Sequence, residues 1–434
     1  MTMIIKKIFS SVLFTIFTLS LLSCGGDEET NSVSIQFIEA DPTTITLKGT
    51  GGAGLSETSN VQFRVKDPDG VFLEGQIVNF SLSTNVGGIT LNPQSAVSDV
   101  NGLVNTVIQS GSVPTPVRII GTIPGTDIST QSDQLAIGSG IPDQNSMTVV
   151  SEKNNPEAFG IVGTEVVVTA RLGDVFNNPV PAGTSVSFTT EGGSIDDNCV
   201  TDETGACSVI WRSQNPRPGD AVGTADDGDG VGILTILATA LGQESFTDNN
   251  GNGVFDTGDS FDDIGEAFED ANNNDVCDAG EFFEDLNNNG LCDGPDGFYN
   301  GSACEPGNSL CSGQKNIHVR SSTRMVMSTS FGDITFTPAG PINVTAAATT
   351  VNVLIEDNNG NSMPGDSSIA VSVSNGEIQN SDAIPTTIPD FLITPYSFNV
   401  VIGTDGDSTS DGVLTVTVTT PNQHVTTLSA GITD

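Results

Sequence analysis

The stretch VVVTARLGDVFNNPVPAGTSVSFTTEGGSI, residues 166–195, contains the pattern that decides the fold. Apolar and polar residues alternate in its first part and again in TSVSFTT, and a segment rich in Gly, Asn and Pro separates the two runs. Alternation with a period of two, bounded by turn residues, predicts half-buried antiparallel strands. Strong helical periodicity is absent after the first 23 residues. We therefore predict an all-β protein.

The same layout occurs at two other places, residues 61–91 and 351–378. Short strands with turns about every ten residues are typical of β-sandwiches of about 100 residues. The three copies therefore predict three tandem sandwiches. We place these domains at residues 33–138, 142–321 and 322–434.

The turns that follow these strands also correspond, since VSDVNGLVNTVIQS (97–110) aligns with VTDETGACSVIWRS (200–213). Together with the xGxxVxF steps into the second strands, these motifs resemble the bacterial immunoglobulin-like group 1 domain, the repeat of invasin and intimin ectodomains. The resemblance covers most of the first two blocks and is looser in the third. It implies tandem immunoglobulin-like β-sandwiches and suggests adhesion, although framework motifs support a fold better than an activity.

The first residues read as a targeting segment. Two lysines lead an apolar run, residues 8–22, which is shorter than the roughly 20 residues that a transmembrane helix needs. The LLSC sequence that ends it resembles the lipobox of bacterial lipoproteins. We therefore predict a lipoprotein signal peptide at residues 1–23, lipidation of Cys24 and a tether at residues 24–32. The expected location is the outer membrane, lipid-anchored, at the cell surface. An ordinary signal peptide that ends by chance at a Cys is the alternative.

The composition is strongly acidic: 54 Asp and Glu stand against 13 Lys and Arg, which gives a formal net charge of -41. Phosphate binding needs clustered Lys and Arg, so we expect no nucleic-acid partner.

Besides Cys24, six cysteines remain, an even number that favours disulfides in an exported chain. Cys199 and Cys207 flank the VTDETGA turn, where the first block has Ala96 and Val104. We predict that Cys199 and Cys207 form a disulfide staple on this hairpin. Two separate buried thiols are the alternative.

An acidic insert interrupts the second block. It lies between ILTILATALG (233–242) and NIHVRSS (316–322), which we predict to be the last two strands of this sandwich. The insert, residues 244–313, carries 16 acidic residues and no basic residue between residues 244 and 297. Such a run is usually disordered or solvated. Its spacing, however, matches the twelve-residue calcium loop D-x-[DN]-x-[DN]-G-x-x-x-x-x-E three times.

Calcium takes about six to eight oxygen ligands, which alternate side chains and the position-7 carbonyl supply in such a loop. The insert therefore predicts calcium as the cofactor. The expected side-chain ligands at positions 1, 3, 5, 9 and 12 are Asp248, Asn250, Asn252, Asp256 and Asp259 in the first loop, Asp270, Asn272, Asn274, Asp278 and Glu281 in the second, and Asp285, Asn287, Asn289, Asp293 and Asp296 in the third.

The match has departures, of which the clearest is Asp275 at the glycine position of the second loop. The loops follow one another too closely for the paired helices of an EF-hand. We expect loops packed on one another, loosely similar to thrombospondin type 3 repeats. Cys277 and Cys292 occupy position 8, where paired calcium loops meet, so we predict a bond between them. A second bond, Cys304 to Cys311, would close the stem, while other connectivities stay open.

No hydrolase elbow, zinc-protease helix or phosphate-binding loop occurs. We therefore expect a non-enzymatic surface lipoprotein. Its immunoglobulin-like domains would form a calcium-stiffened rod for adhesion or cell-surface structure, with a protein or glycan as surface ligand. The alternative is a carbohydrate-binding or accessory subunit of a cell-surface enzyme complex. That alternative would favour Trp211 as a sugar platform, whereas the strand pattern predicts Trp211 in the core.

Overall fold

A computed structural model describes residues 33–48, 56–219, 230–305, 307–406 and 411–433 of the chain. The predicted signal peptide, tether and lipidation site at Cys24 lie outside these residues. In the described part of the chain, no helix is long and apolar enough to cross a bilayer. The short 3-10 turns among these residues are Val86–Gly88, Gln144–Ser146 and Ser381–Ala383.

The first block is a sandwich of two four-stranded antiparallel sheets with a small third sheet. Its strands are β1 (Ser34–Asp41), β2 (Thr44–Thr46), β3 (Thr58–Lys66), β4 (Ile77–Leu82), β5 (Thr90–Asn92), β6 (Ser95–Val97), β7 (Leu103–Gln109), β8 (Thr115–Val117), β9 (Ile119–Thr122), β10 (Ser129–Gln131) and β11 (Leu135–Gly138). The sheet orders are β1-β3-β7-β5, β10-β9-β4-β6 and β2-β11-β8. Val61, Phe63 and Val65 of β3 are fully buried because alternate residues of a strand face opposite sides.

The second block has the same architecture. Its strands are β12 (Met147–Ser151), β13 (Glu165–Leu172), β14 (Ser185–Thr190), β15 (Ser194–Ile195), β16 (Asn198–Val200), β17 (Ala206–Arg212), β18 (Ile233–Gly242), β19 (Phe246–Thr247), β20 (Ser260–Phe261) and β21 (Ile317–Val326). The two large sheets have the orders β12-β13-β17-β15 and β16-β14-β18-β21, and β19 pairs with β20 inside the insert. Trp211 on β17 is fully buried and its indole N–H donates to the carbonyl of Gly192 at 2.8 Å. The prediction that Trp211 is a core residue is confirmed.

The third block is again a sandwich of two four-stranded sheets. Its strands are β22 (Gly332–Thr337), β23 (Ile342–Asn343), β24 (Thr349–Asp357), β25 (Ser368–Val373), β26 (Glu377–Ile378), β27 (Tyr396–Gly403), β28 (Gly412–Thr419) and β29 (Val425–Thr433). The sheet orders are β22-β24-β27-β26 and β23-β29-β28-β25. Each block has its own cluster of buried apolar side chains. The prediction of an all-β, immunoglobulin-like fold is confirmed.

The disulfide between Cys199 and Cys207 is present, but the elements that it links differ from those predicted. Cys199 lies on β16, in the sheet of β14, whereas Cys207 lies on β17, in the sheet of β13. The chain crosses from one sheet to the other in the turn between them. The bond therefore joins the two sheets of the sandwich instead of stapling a hairpin.

Strands β18 and β21 pair along their whole ten-residue length, as the sequence predicted for the last two strands of this sandwich. Strand β21 continues to Val326, past the domain boundary placed after residue 321. The reason is that Met325 and Val326 still pair with Leu234 and Ile233 at the start of β18.

A buried carboxylate joins the first block to the second. Asp174, in a turn of the second block, is fully buried, and its Oδ2 accepts the main-chain N–H of Ser139 at 2.6 Å. Its Oδ1 accepts the N–H groups of Phe176 and Asn178, both at 2.9 Å. Burial raises the pKa of Asp174, although these hydrogen bonds oppose the rise. The segment that directly follows the first block is thus fixed to the second block by a specific contact.

A buried amide joins the second block to the third. Asn155 is fully buried, and its side-chain NH2 group donates to Ser362 Oγ and to the carbonyls of Met363 and Pro389, each at 3.0 Å. One side chain thus links the second block to two separate segments of the third.

Candidate metal-binding insert

The insert packs along the outer face of β18. The first eight residues of this strand are all buried, so both faces are covered. The core covers one face, and the insert covers the other. Thr235 Oγ1 donates to the carbonyl of Asp270 at 3.2 Å, and Thr239 Oγ1 donates to Glu284 Oε1 at 3.2 Å. The insert is therefore seated on the sandwich.

The two ends of the insert face the two neighbouring domains. In the first loop, a methyl group added to Gly253 would lie 3.8 Å from Phe176 Cζ and 3.8 Å from Pro114 Cδ of the first block. In the second loop, Asn273 lines a cleft that Phe391 of the third block also lines. The insert thus extends along the second sandwich from one junction to the other.

The three predicted loops share one hydrogen-bonding frame around their position-1 Asp. Asp248 accepts the main-chain N–H of Asn252 at 3.2 Å and of Gly253 at 2.7 Å, from positions 5 and 6. The corresponding distances are 2.9 and 2.8 Å around Asp270 and 3.0 and 2.8 Å around Asp285. Partial burial opposes the effect of these donors, but together they lower the pKa of Asp248. This carboxylate is therefore held in its charged form.

Position 6 has a left-handed backbone in all three loops, with φ of 77° at Gly253, 61° at Asp275 and 76° at Gly290. Glycine adopts this conformation without strain, and Asp is one of the few other residues that tolerates it. The departure noted at Asp275 therefore leaves the backbone of the second loop like that of the others.

The side chains of positions 3, 5 and 9 converge in each loop. Asn250 Nδ2 and Asn252 Nδ2 both donate to Asp256 Oδ2, at 2.8 and 2.5 Å. The same pair of hydrogen bonds measures 2.9 and 2.8 Å in the second loop and 2.6 and 2.7 Å in the third. In the second loop the two amides lower the pKa of Asp278. Each loop thus gathers carboxylate and amide groups at one point.

An acidic side chain closes each loop by bridging positions 2 and 9. Asp259 accepts the N–H groups of Asn249 and Asp256 at 2.9 and 3.0 Å in the first loop. Glu281 accepts the N–H groups of Ala271 and Asp278 at 3.0 and 2.8 Å in the second loop. These are the residues that the sequence predicted at position 12.

The third loop is closed by a residue that the sequence motif did not identify. Glu266 accepts the N–H of Leu286 at 2.8 Å and the N–H of Asp293 at 3.1 Å. Asp296, the predicted closing residue, instead donates its main-chain N–H to Asp263 Oδ1 at 3.1 Å. The structure therefore separates Asp296 from the third loop, because Gly294 and Pro295 lead the chain away towards Asp263.

A 22-residue repeat in the sequence would have identified Glu266. Residues 244–265 and 266–287 are identical at 10 of 22 positions when aligned without gaps. This alignment places Glu244 over Glu266 and Asp263 over Asp285. The loop motif spans only twelve residues, so it missed a closing residue that lies 19 residues before its own loop.

The residues at position 8 pair the loops as predicted. Cys277 and Cys292 are bonded, with their Cα atoms 6.6 Å apart, and Cys304 is bonded to Cys311. Phe255, at position 8 of the first loop, is fully buried and forms a parallel β-bridge with Cys304. The three predicted disulfides are all present, and two of them lie within the insert.

The donor set is one that a hard cation accepts. Within the described residues, no group of three or more His, Cys, Asp or Glu side chains is arranged to hold a metal by itself. The loops combine carboxylates with Asn amide oxygens and main-chain carbonyls, which is the mixture that calcium prefers. The three loops contain no His, and their two cysteines, Cys277 and Cys292, are bonded to each other, so they offer neither imidazole nor free thiol, which transition metals prefer.

No protein-family model matches the chain. The D0-D1 domain of intimin is similar at 16% identity, over 48% of this chain and 89% of that chain, with a TM-score of 0.22. The Yersinia pseudotuberculosis adhesin InvE has 17% identity over 48% of this chain and 57% of that chain, with a TM-score of 0.21. This chain thus spans little more than half of the InvE structure.

The Escherichia coli adhesin FdeC is similar at 13% identity, over 93% of this chain and 97% of that chain, with a TM-score of 0.26. The assignment of an immunoglobulin-like fold rests on the strand pairings given above.

Proposed function

We propose that this chain is a non-enzymatic cell-surface protein whose tandem immunoglobulin-like domains form a rod stiffened by calcium. The insert of the second domain binds the calcium. The rod serves adhesion or cell-surface structure, and a lipid on Cys24 anchors it in the outer membrane. Its ligand is a protein or a glycan on an opposing surface.

The observation that carries this proposal is the position of the insert. Its loops lie along β18 and face Pro114 of the first block at one end and Phe391 of the third block at the other. An element that spans a domain from junction to junction can limit bending at both. The contacts of Asp174 and Asn155 at the junctions act in the same direction.

Calcium has a clear physical role in this arrangement. The 16 acidic residues between residues 244 and 297 repel one another when no cation is bound. Calcium compensates this charge and stabilises the folded insert by mass action, by about 1.4 kcal/mol per site at ten times the dissociation constant. Ordering of the insert, and with it the stiffness of the rod, therefore depends on the ion.

The carbohydrate-binding alternative would use Trp211, the aromatic group singled out for it. That ring is fully buried in the core of the second block, and its N–H donates a hydrogen bond to the carbonyl of Gly192. A sugar platform needs an exposed ring face, so Trp211 cannot serve as one in this fold.

Limited proteolysis with and without a calcium chelator tests the proposal. We expect chelation to expose residues 244–313 to cleavage while the sandwiches stay intact. Small-angle scattering should show greater bending after chelation.

Asp248→Ala should reproduce part of both effects in calcium. Asp99→Ala is the matched control, because Asp99 also accepts main-chain N–H groups in a turn but lies in the first block. Identical cleavage and scattering with and without calcium would refute the proposal.

A further inference from the structure

Glu244 repeats the role of Glu266 at a place where the sequence contains no contiguous loop. Glu244 is fully buried, and it accepts the N–H of Ile264 at 2.9 Å and the N–H of Asn300 at 2.7 Å. Glu266 bridges Leu286 and Asp293 in the same way when it closes the third loop. By this comparison, Ile264 occupies position 2 and Asn300 occupies position 9 of a loop built from two segments.

The remaining hydrogen bonds of this loop match the frame of the other three. Asp263 accepts the N–H of Asp296 at 3.1 Å and of Gly297 at 2.8 Å, as a position-1 Asp accepts positions 5 and 6. The N–H of Phe298 donates to Asp296 Oδ1 at 2.8 Å, as position 7 donates to position 5 in the first loop. Gly297 also has the left-handed backbone of position 6, with φ of 82°.

An unpartnered oxygen points to a ligand at this place. Asn300 is only 4% exposed, and its side-chain Oδ1 has no hydrogen-bond partner among the described residues. Buried polar atoms are rarely left in this state unless a water or an ion satisfies them. Asn300 stands at position 9, where the other loops carry an Asp. The atom is therefore where a cation ligand belongs.

The residues at position 8 pair the two-segment loop with the first loop. Tyr299 takes position 8 of the two-segment loop, and its ring centroid is 4.7 Å from that of Phe255, at position 8 of the first loop. Tyr299 forms a bridge with Cys311, as Phe255 does with Cys304, and these two cysteines are bonded to each other. The second and third loops meet at position 8 through their own disulfide. The insert thus contains two pairs of loops.

We propose that Glu244, Asp263, Asp296 and Asn300, with the carbonyl of Phe298, form a fourth calcium site that is discontinuous in sequence. This inference rests on the proposed calcium function of the insert.

The discontinuity sets the properties of the site. Gly294 lies two residues before Asp296 and therefore stands at position 3, where it supplies no side chain. We therefore expect this site to bind calcium more weakly than the other three. Its two segments come together only when the insert is folded, so it reports on the folded insert as a whole.

Native mass spectrometry of the full chain with calcium tests the proposal by counting bound ions. We expect four ions on the unaltered chain and three on Asp263→Ala and on Asn300→Leu. Asp285→Ala, in the third loop, should also bind three, and Asp263→Ala combined with Asp285→Ala should bind two. Glu305→Gln is the matched control, because Glu305 is an exposed acid of the same insert that belongs to none of the four loops, and it should keep four ions.

Thermal melting with and without calcium distinguishes a role of Asn300 as a calcium ligand from a role in packing. Asn300→Leu should leave the midpoint in chelator unchanged and reduce the rise that calcium causes. An equal loss in chelator and in calcium would mean a structural role and would overturn the proposal. The fourth site would also be refuted if the unaltered chain bound three ions and Asp263→Ala still bound three. That result would leave the proposed function of the insert unaffected. No ion on any chain would refute both.

Discussion

Replacement of Glu266 by Ala is the sharpest test of how the third loop is closed. This carboxylate is 7% exposed and accepts two main-chain N–H groups, from Leu286 and Asp293. Each N–H left without a partner costs roughly 1–3 kcal/mol when buried. Leu286 and Asp293 are half-buried, so we take the lower end, about 2 kcal/mol for the pair.

Loss of the ion adds to this cost. At calcium ten times above the dissociation constant, one site contributes about 1.4 kcal/mol. The total, about 3 kcal/mol, increases the opened fraction of the insert roughly a hundredfold. The sandwiches should keep their stability, because local opening need not spread to a separate core.

Proteolysis rates in calcium measure this change, since cleavage follows the open population when reclosing is fast. We expect Glu266→Ala to be cut within residues 244–313 about a hundredfold faster than the unaltered chain. Glu305→Ala is the matched control, because Glu305 is an exposed acid of the same insert. If Glu266→Ala resisted cleavage as well as the control and bound as many ions as the unaltered chain, our account of the third loop would be wrong.

Three further predictions concern side chains that hold parts of the fold together. Trp211→Ala should lower the free energy of unfolding of the second domain by about 3–5 kcal/mol, measured by denaturant titration, because it empties a fully buried site. Cys277→Ser combined with Cys292→Ser should destabilise the insert by about 3 kcal/mol, since the bond closes a 15-residue separation, and hydrogen exchange should rise only there. Asn155→Ala should leave three acceptors of the third block without their donor and loosen that junction, measured as a wider interdomain distance distribution between spin labels, while each domain melts as before.

The fold was predictable because its signal is local. In the segment from Val166 to Ile195, alternation and turn residues specify two strands without reference to the rest of the chain. The three twelve-residue loops were predictable for the same reason, since each position-1 Asp bonds N–H groups four and five residues later. Even the disulfide between Cys277 and Cys292 follows from a local rule about position 8.

The features that sequence reasoning missed are non-local. Glu266 closes a loop that begins 19 residues after it, and Asp263 meets Asp296 across a separation of 33 residues. No short motif spans such distances. The 22-residue repeat was the available signal, because it places Glu244 over Glu266 before any contact is known. The near-continuous apolar run of β18, from Ile233 to Ala240, was a second signal, since a strand covered on both faces has no need to alternate.

The long separation between β18 and β21 has a consequence for how the chain folds as it is synthesised. Strand β18 is complete at Gly242, but its partner begins only at Ile317. Until then ILTILATALG has one open edge, rich in β-branched and apolar residues, of the kind that invites pairing with other chains. An insert that folds early around bound cations would bring the ends of β18 and β21 closer together. It would thereby reduce the time for which the edge of β18 is open to aggregation.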